Sequence, residues 1–131
     1  GTTVFHRLPI RPGRPLLGAV GPRGQVLLGL PGNPVSTLVT ARRFALPVLR
    51  TLAGFASPLP PPPSVRLVNS GNETLHVWWY RLVRLVGPRE ACLVAMQGSG
   101  DIVAQARSDG FVEIPRHTAG PGPWPYYAWE S

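Results

Sequence analysis

Apolar and polar positions in residues 1–56 form several short strand-like runs followed by one helical period. The strand-like runs lie at 4–10, 16–20 and 25–30. Between the last two runs, Gly21-Pro22-Arg23-Gly24 has the residue types of a hairpin turn. Apolar residues fall on both faces of 25–30, so this strand is expected to be buried on both sides.

A helix is predicted after residue 33, where apolar residues recur at spacings of three, four or seven. Asn33 suits the N-cap, Pro34 the first helical position and Gly54 the C-terminal cap. Pro47 inside the helix is expected to kink it or end it early. The apolar positions of this period are Val35, Leu38, Val39, Leu46, Leu49 and Ala53.

A proline-rich segment at 57–64 divides the chain and is expected to be a stiff, extended linker. Residues 1–56 are interpreted as an α/β module, in which strands accompany one long helix. Residues 65–131 are expected to form a small all-β domain, a barrel or a sandwich. Its predicted strands are 65–69, 75–86, 91–96, 111–114 and 124–129, with a short helix at 101–106 capped by Ser99.

The charge of the chain is concentrated in its first half. The chain has 13 basic residues, all arginine, against 6 acidic residues, for a formal net charge of +7. Residues 1–72 hold eight of the arginines and no acidic residue, so they carry +8, and residues 73–131 carry −1. The basic half is therefore expected to face an anion. One cysteine excludes a disulfide framework and a thiolate metal cluster, and no apolar stretch approaches the roughly 20 residues of a membrane span.

A strand, a glycine-containing loop and a helix start succeed one another at 29–36, with the sequence GLPGNPVS. Unpaired backbone N–H groups and the positive end of the helix would then point at one spot, which favours an anion. Proline at the first helical position removes one donor, and a well-capped helix start with no ligand remains the alternative.

Arg7, Arg11 and Arg14 precede this loop. On an extended segment Arg7 and Arg11 would point to the same side about 13 Å apart. Arginine binds phosphate and other oxyanions bidentately, so these residues are candidate anion ligands. A solvated basic edge that discourages strand pairing is the alternative.

The segments RLPIRPGRP at 7–15 and GLPGNPVS at 29–36 together resemble the molybdopterin molybdenumtransferase family, which includes MoeA and the gephyrin E domain. In that family a lysine-rich KPGKP segment precedes GLPGNPVS, and here arginine replaces each lysine. The resemblance implies a transferase that inserts molybdate into adenylylated molybdopterin and releases AMP. It implies substrate or anion ligands at Arg7, Arg11, Pro31, Pro34, Arg81 and Ser99. The arginine segment adds Arg14, and the loop and helix start add Gly32, Asn33 and Ser36 as further candidate ligands.

The resemblance covers only the C-terminal part of the family, truncated at its N-terminus. It implies that residues 1–56 are the C-terminal half of the family's α/β molybdopterin-binding domain. The family uses upstream carboxylates near Mg²⁺ and molybdate, and the absence of acidic residues from 1–72 excludes an oxygen-ligand metal site there. The chain is therefore expected to be a fragment of a cytoplasmic enzyme, inactive alone, with no catalytic residue and no tightly bound cofactor of its own. The missing N-terminal part of the same chain is its expected partner, and the complete enzyme is expected to be a homodimer with no membrane association.

Two other function classes stay open at this point. Clustered arginines are typical of a nucleic-acid-binding module, but the Trp and Tyr residues lie in the half that is not basic, which makes nucleic acid the less favoured partner. A non-catalytic interaction module is the third interpretation. His6, His76 and His117 are far apart and have no ligand-spaced carboxylate, so no metal site is expected from them.

Overall fold

The computed structural model describes residues 1–54, 59–98 and 101–130. These residues contain nine strands, and a helical stretch from 34 to 52 in which a π-helical turn (Ala41–Ala45) separates two α-helices. The strands are β1 (Thr2–His6), β2 (Ile10–Arg11), β3 (Leu17–Val20), β4 (Val26–Gly29), β5 (Ser64–Leu67), β6 (Trp78–Gly87), β7 (Glu90–Leu93), β8 (Gly110–Ile114) and β9 (Trp124–Ala128). The helices are α1 (Pro34–Thr40), α2 (Leu46–Leu52) and α3 (Ile102–Ala106).

Strands β1, β3 and β4 form a small antiparallel sheet with β3 in the centre. The predicted hairpin between β3 and β4 is confirmed, and the N–H of Gly21 donates to the carbonyl of Gln25 at 2.7 Å. The expected double burial of β4 is wrong, because Val26 and Leu27 are 42% and 53% exposed. The physical reason is that β4 is the edge of the sheet and none of the described strands or helices covers these side chains.

The predicted helix begins at Pro34, after an extended Asn33 whose side chain makes no capping hydrogen bond. Pro47 does not end the helix early, since α2 continues to Leu52. The π-helical turn lies immediately before the first turn of α2, where proline supplies no N–H for the carbonyl of residue 43. Gly54 has a φ of +83° and its N–H donates to the carbonyl of Thr51 at 3.1 Å, so the predicted C-terminal glycine is confirmed.

The second half of the chain forms a closed five-stranded barrel, ordered β6-β7-β5-β9-β8 and returning to β6. The β5–β7 pair is parallel and the other barrel pairs are antiparallel. Each of the five predicted strands is present, and the aromatic last strand closes the barrel. The buried interior residues are Val65, Leu67, Val83, Ala91, Val112, Ile114 and Tyr126.

The two halves of the chain share a hydrophobic core. Strand β2 pairs in parallel with β6, so residues 10–11 extend the barrel sheet. Helix α1 packs against the outer face of the same barrel. The buried residues of this shared core are Ile10, Val35, Val39, Tyr80, Leu82, Ala104 and Phe111. The predicted boundaries at 56 and 57 lie outside the described residues, and the division into domains stays a prediction.

Helix α3 has Asp101 as its N-cap, where Ser99 was the expectation. The Asp101 carboxylate accepts hydrogen bonds from the N–H of Ala104 at 3.0 Å and of Gln97 at 3.1 Å. The Asp101 carboxylate thus accepts the hydrogen bond from a backbone N–H of the first helical turn, which is the role that was expected of the Ser99 hydroxyl. Ser99 itself lies outside the described residues. Within the described ranges, no helix has the length and apolar character needed to cross a membrane.

Candidate anion-binding cleft

A cleft of about 1170 Å³ lies where the two halves of the chain meet. One wall consists of residues 10–15 and the start of α1, and the other consists of residues 69–82 and 93–98. The cleft brings together five residues that were predicted as substrate or anion ligands, although they are up to 70 positions apart in sequence. These residues are Arg11, Arg14, Asn33, Ser36 and Arg81.

The loop that carries Arg11 and Arg14 is fixed at two points. Arg11 belongs to β2 and is aligned with Trp79 of β6. Gly13 lies against α1 with a φ of +113°, and a Cβ at this position would lie 2.5 Å from Cγ2 of Thr40. Glycine is therefore required for this loop to approach the helix so closely. Both arginine side chains are exposed at the mouth of the cleft.

The start of α1 contributes Asn33 and Ser36 to the cleft, and Ser36 is buried. The hydroxyl of Thr37 donates to the carbonyls of Pro31 and Asn33, which holds the preceding turn against the helix. Pro31, Gly32 and Pro34 are not among the residues that line the cleft. They form the turn into the helix, and direct contact of these three residues with a ligand stays a prediction.

Arg81 lies on the barrel wall, half-buried, with its guanidinium carbon 3.9 Å from the centre of the Trp79 ring. Burial lowers the pKa of Arg81, and the negative charge of Glu73 partly opposes that effect. Glu73 also lines the cleft and is the first acidic residue of the chain. Gly98, the described residue before Ser99, lines the same cleft.

Arg7 does not join the other arginines in this cleft. Its φ is +60°, in the left-handed region, and β1 ends at the preceding residue. The prediction that Arg7 and Arg11 lie on one side of a continuous extended segment is wrong, because the backbone turns at Arg7. Arg7 instead lines a concavity of about 340 Å³ together with His6, Arg14 and Pro15. Arg14 lines both spaces.

The charged groups of the cleft favour an anion over a metal ion. Its described lining holds three arginines and one carboxylate, that of Glu73. Within the described ranges there is no group of three or more His, Cys, Asp or Glu side chains that could hold a metal. Mg²⁺ requires several oxygen ligands, mostly carboxylates and waters. These residues therefore do not fit a Mg²⁺ site, whereas guanidinium forks fit phosphate and other oxyanions.

Trp79 and Glu73 also line this cleft, although neither was predicted from the sequence as a site residue. The pairing of β2 with β6, two segments distant in sequence, is what aligns Trp79 with Arg11. The sequence did carry one signal for this contact: Trp79 and Arg81 are two apart on a strand and therefore share a face. The contribution of Glu73 depends on the path of residues 69–77. The apolar and polar residues of this segment do not form a regular pattern that would predict that path.

Comparison with known proteins finds similar proteins over nearly the whole length of the chain. The molybdopterin molybdenumtransferase of Synechocystis sp. is 30% identical over 136 residues, which span 98% of this chain and 32% of that relative. Over nearly its whole length, the chain is similar to members of the molybdopterin molybdenumtransferase family. The chain spans about a third of the length of that relative. No family model matches the chain.

Two further members of the family support the relationship. The molybdopterin molybdenumtransferase of Synechococcus elongatus is 56% identical over 48 residues, 36% of this chain and 12% of that relative. The crystal structure of the MoeA protein from Pyrococcus horikosii superposes with a TM-score of 0.75 at 26% identity, covering 98% of this chain and 32% of that one. The fold of the chain is therefore MoeA-like.

Proposed function

We propose that this chain supplies one part of the substrate-binding cleft of a molybdopterin molybdenumtransferase. The reaction is the insertion of molybdate into adenylylated molybdopterin with release of AMP. The single observation that carries the proposal is the convergence of Arg11, Arg14 and Arg81 with the start of α1 on one cleft. That convergence occurs in a chain whose relatives are named for this transfer.

The arginines of the cleft match the chemistry of the proposed substrates. Molybdate, the pterin phosphate and the phosphate of AMP are all oxyanions, and a guanidinium can donate two parallel N–H bonds to such a group. Arg11 and Arg14 approach from the loop wall, and Arg81 approaches from the barrel wall. An anion between the walls would therefore be bound from two sides. Arg7 would contribute through the adjoining smaller concavity, where it lies beside Arg14.

We propose further that this chain does not catalyse the transfer alone. The described lining of the cleft offers one carboxylate, Glu73, so the oxygen ligands for Mg²⁺ would have to come from other parts of the enzyme. The first half of the chain would be part of an α/β domain that another segment of the enzyme completes. The complete enzyme would be a homodimer in the cytoplasm.

Isothermal titration of the chain with molybdate, AMP and adenylylated molybdopterin tests the binding proposal. Arg11→Ala and Arg81→Ala should each weaken binding by roughly tenfold or more, as expected for the loss of one charge-assisted hydrogen-bond pair. Arg23→Ala is the matched control, because Arg23 is exposed in the β3–β4 turn and does not line the cleft. Equal affinity in all four proteins would contradict the assignment of the cleft.

The proposal of inactivity has its own test. The chain is incubated with adenylylated molybdopterin, molybdate and Mg²⁺, and AMP release is measured. No release above the protein-free control is expected. Sustained release by the wild-type chain that Arg81→Ala abolishes would show that the cleft is catalytically complete and that the proposed dependence on other segments is wrong.

A further inference from the structure

Trp79 shares one face of the sheet with two arginines of the cleft. In the parallel β2–β6 pair, Arg11 is aligned with Trp79, and aligned residues of neighbouring strands project from the same face of the sheet. Arg81 follows Trp79 by two positions on β6 and shares that face, with its guanidinium stacked on the indole ring. The indole therefore contacts one of these arginines, Arg81, and shares its face of the sheet with the other, Arg11.

The stack constrains Arg81 without occupying its hydrogen-bond donors. In the described parts of the chain, no residue accepts a hydrogen bond from the Arg81 guanidinium. Glu73 acts on Arg81 through its charge alone. The Arg81 guanidinium lies over the face of the indole ring. A guanidinium in this position can direct N–H groups beyond the ring, where a ligand oxyanion can reach them.

The stack also has an energetic consequence for binding. A free arginine side chain loses rotamer entropy when it is fixed on a ligand, and a side chain already held in place loses less. Trp79 is half-buried and also packs against the hydrophobic interior of the barrel. The indole ring beneath Arg81 is therefore held in place. The cleft therefore contains one arginine that packs on an aromatic ring, Arg81, together with two exposed arginines, Arg11 and Arg14.

We propose that Trp79 is a positioning residue that holds the Arg81 guanidinium with its donors directed into the cleft. This inference rests on the proposed function, since it assigns Trp79 a role in the same anion site. Trp79 does not itself bind the anion. Its contribution to affinity acts through Arg81 and disappears when Arg81 is removed.

A double-mutant cycle on the 131-residue chain tests this role, with inorganic molybdate and inorganic phosphate as the probes. Trp79→Leu should weaken binding about fivefold, the size expected from losing a partly desolvated cation–π contact. Trp79→Phe, which retains an aromatic face, should restore most of that loss. Trp79→Leu should have no added effect in an Arg81→Ala background, but it should add fully to Arg14→Ala.

A ligand-free measurement separates positioning from simple stability. The Nε–H resonance of Arg81 should show an upfield ring-current shift in the wild-type protein and in Trp79→Phe, and should move to the ordinary position in Trp79→Leu. Circular dichroism and urea unfolding report whether each variant is folded. If Trp79→Leu does not fold, the small remaining loss of affinity in Trp79→Phe is measured with and without Arg81. This loss should vanish in the Arg81→Ala background, and a loss of the same size there would overturn the positioning role.

The possible outcomes distinguish this inference from the proposed function. Wild-type binding that is lost in Arg81→Ala but unchanged in Trp79→Leu would overturn the positioning role and leave the cleft intact. Equal losses from Trp79→Leu with and without Arg81 would also overturn it. Absence of molybdate and phosphate binding in the wild-type chain would overturn the cleft and the positioning role together.

Discussion

The Nε of Arg43 donates a hydrogen bond to Oε2 of Glu113 at 2.6 Å, across 70 positions of sequence. Arg43 belongs to the π-helical turn and Glu113 to β8, so this ion pair joins the helical stretch to the barrel. The Arg43 guanidinium also lies over the rings of Phe44 and Tyr127, at 5.2 and 5.1 Å from their centres. Burial disfavours the charged form, but the hydrogen bond and charge of Glu113 outweigh it, and the pKa of Arg43 is raised.

Breaking the Arg43–Glu113 pair should destabilise the fold. Arg43→Ala and Glu113→Gln should each lower the free energy of unfolding by about 1 to 3 kcal/mol, because each leaves a partly buried group without its charged partner. Urea unfolding measures both variants. The double variant should lose less than the sum of the two, and Arg23→Ala should match wild type. Strict additivity of the two changes would show that the pair contributes no coupling energy.

Truncation of a buried apolar side chain should destabilise the fold more than truncation of an exposed one in the same half of the chain. Val39 is fully buried in the shared core, whereas Leu27 is 53% exposed at the edge strand β4. Val39→Ala should therefore cost about 1 to 3 kcal/mol in the free energy of unfolding, and Leu27→Ala should cost less than about 0.5 kcal/mol. Thermal and urea unfolding report the difference. A large loss in Leu27→Ala would mean that another part of the protein covers β4 in solution.

The stability of the fold should fall at alkaline pH. Burial raises the pKa values of all three tyrosines, Tyr80, Tyr126 and Tyr127, above the ordinary 10.0, and neighbouring carboxylates raise them further. Above about pH 10 the unfolded chain loses protons that the folded chain retains, so the unfolded state is favoured as pH rises. Each tyrosine can contribute at most about 1.4 kcal/mol per pH unit to this decline.

Urea unfolding between pH 8 and pH 11 measures this dependence. The chain has no lysine, so lysine titration does not obscure the tyrosine contribution. Tyr80→Phe should make the decline above pH 10 shallower, because the removed hydroxyl belongs to the most strongly shifted tyrosine. A slope identical to that of wild type would show that Tyr80 does not differ in protonation between the two states.

Duplex DNA should bind weakly to this chain despite its positive charge. The arginines of the cleft converge on one concave space instead of lining an extended surface, and the tryptophan beside them is covered by Arg81. Fluorescence titration with random duplex should show little binding at 150 mM salt. Tight binding that weakens by orders of magnitude between 50 and 200 mM salt would favour the nucleic-acid interpretation over the anion cleft.

Much of the local structure could be predicted from the residues. The helix start at Pro34, the hairpin at 21–24 and the strands of the barrel depend on turn residues and hydrophobic period, which act over a few positions. The family could be predicted as well, because its two motifs are contiguous in sequence. The burial of β4 could not, since the same apolar run is a central strand or an exposed edge depending on its neighbours.

The sequence by itself determined which residues carry charge and which segments become strands, helix and turns. Only the tertiary structure decided which of the arginines meet. The left-handed backbone at Arg7 separates it from Arg11, and the β2–β6 pairing brings Arg11 to Trp79 and Arg81. The ion pair of Arg43 with Glu113 has the same origin. Local propensity acts over a few residues, whereas strand pairing and core packing select contacts between segments that are distant in the chain.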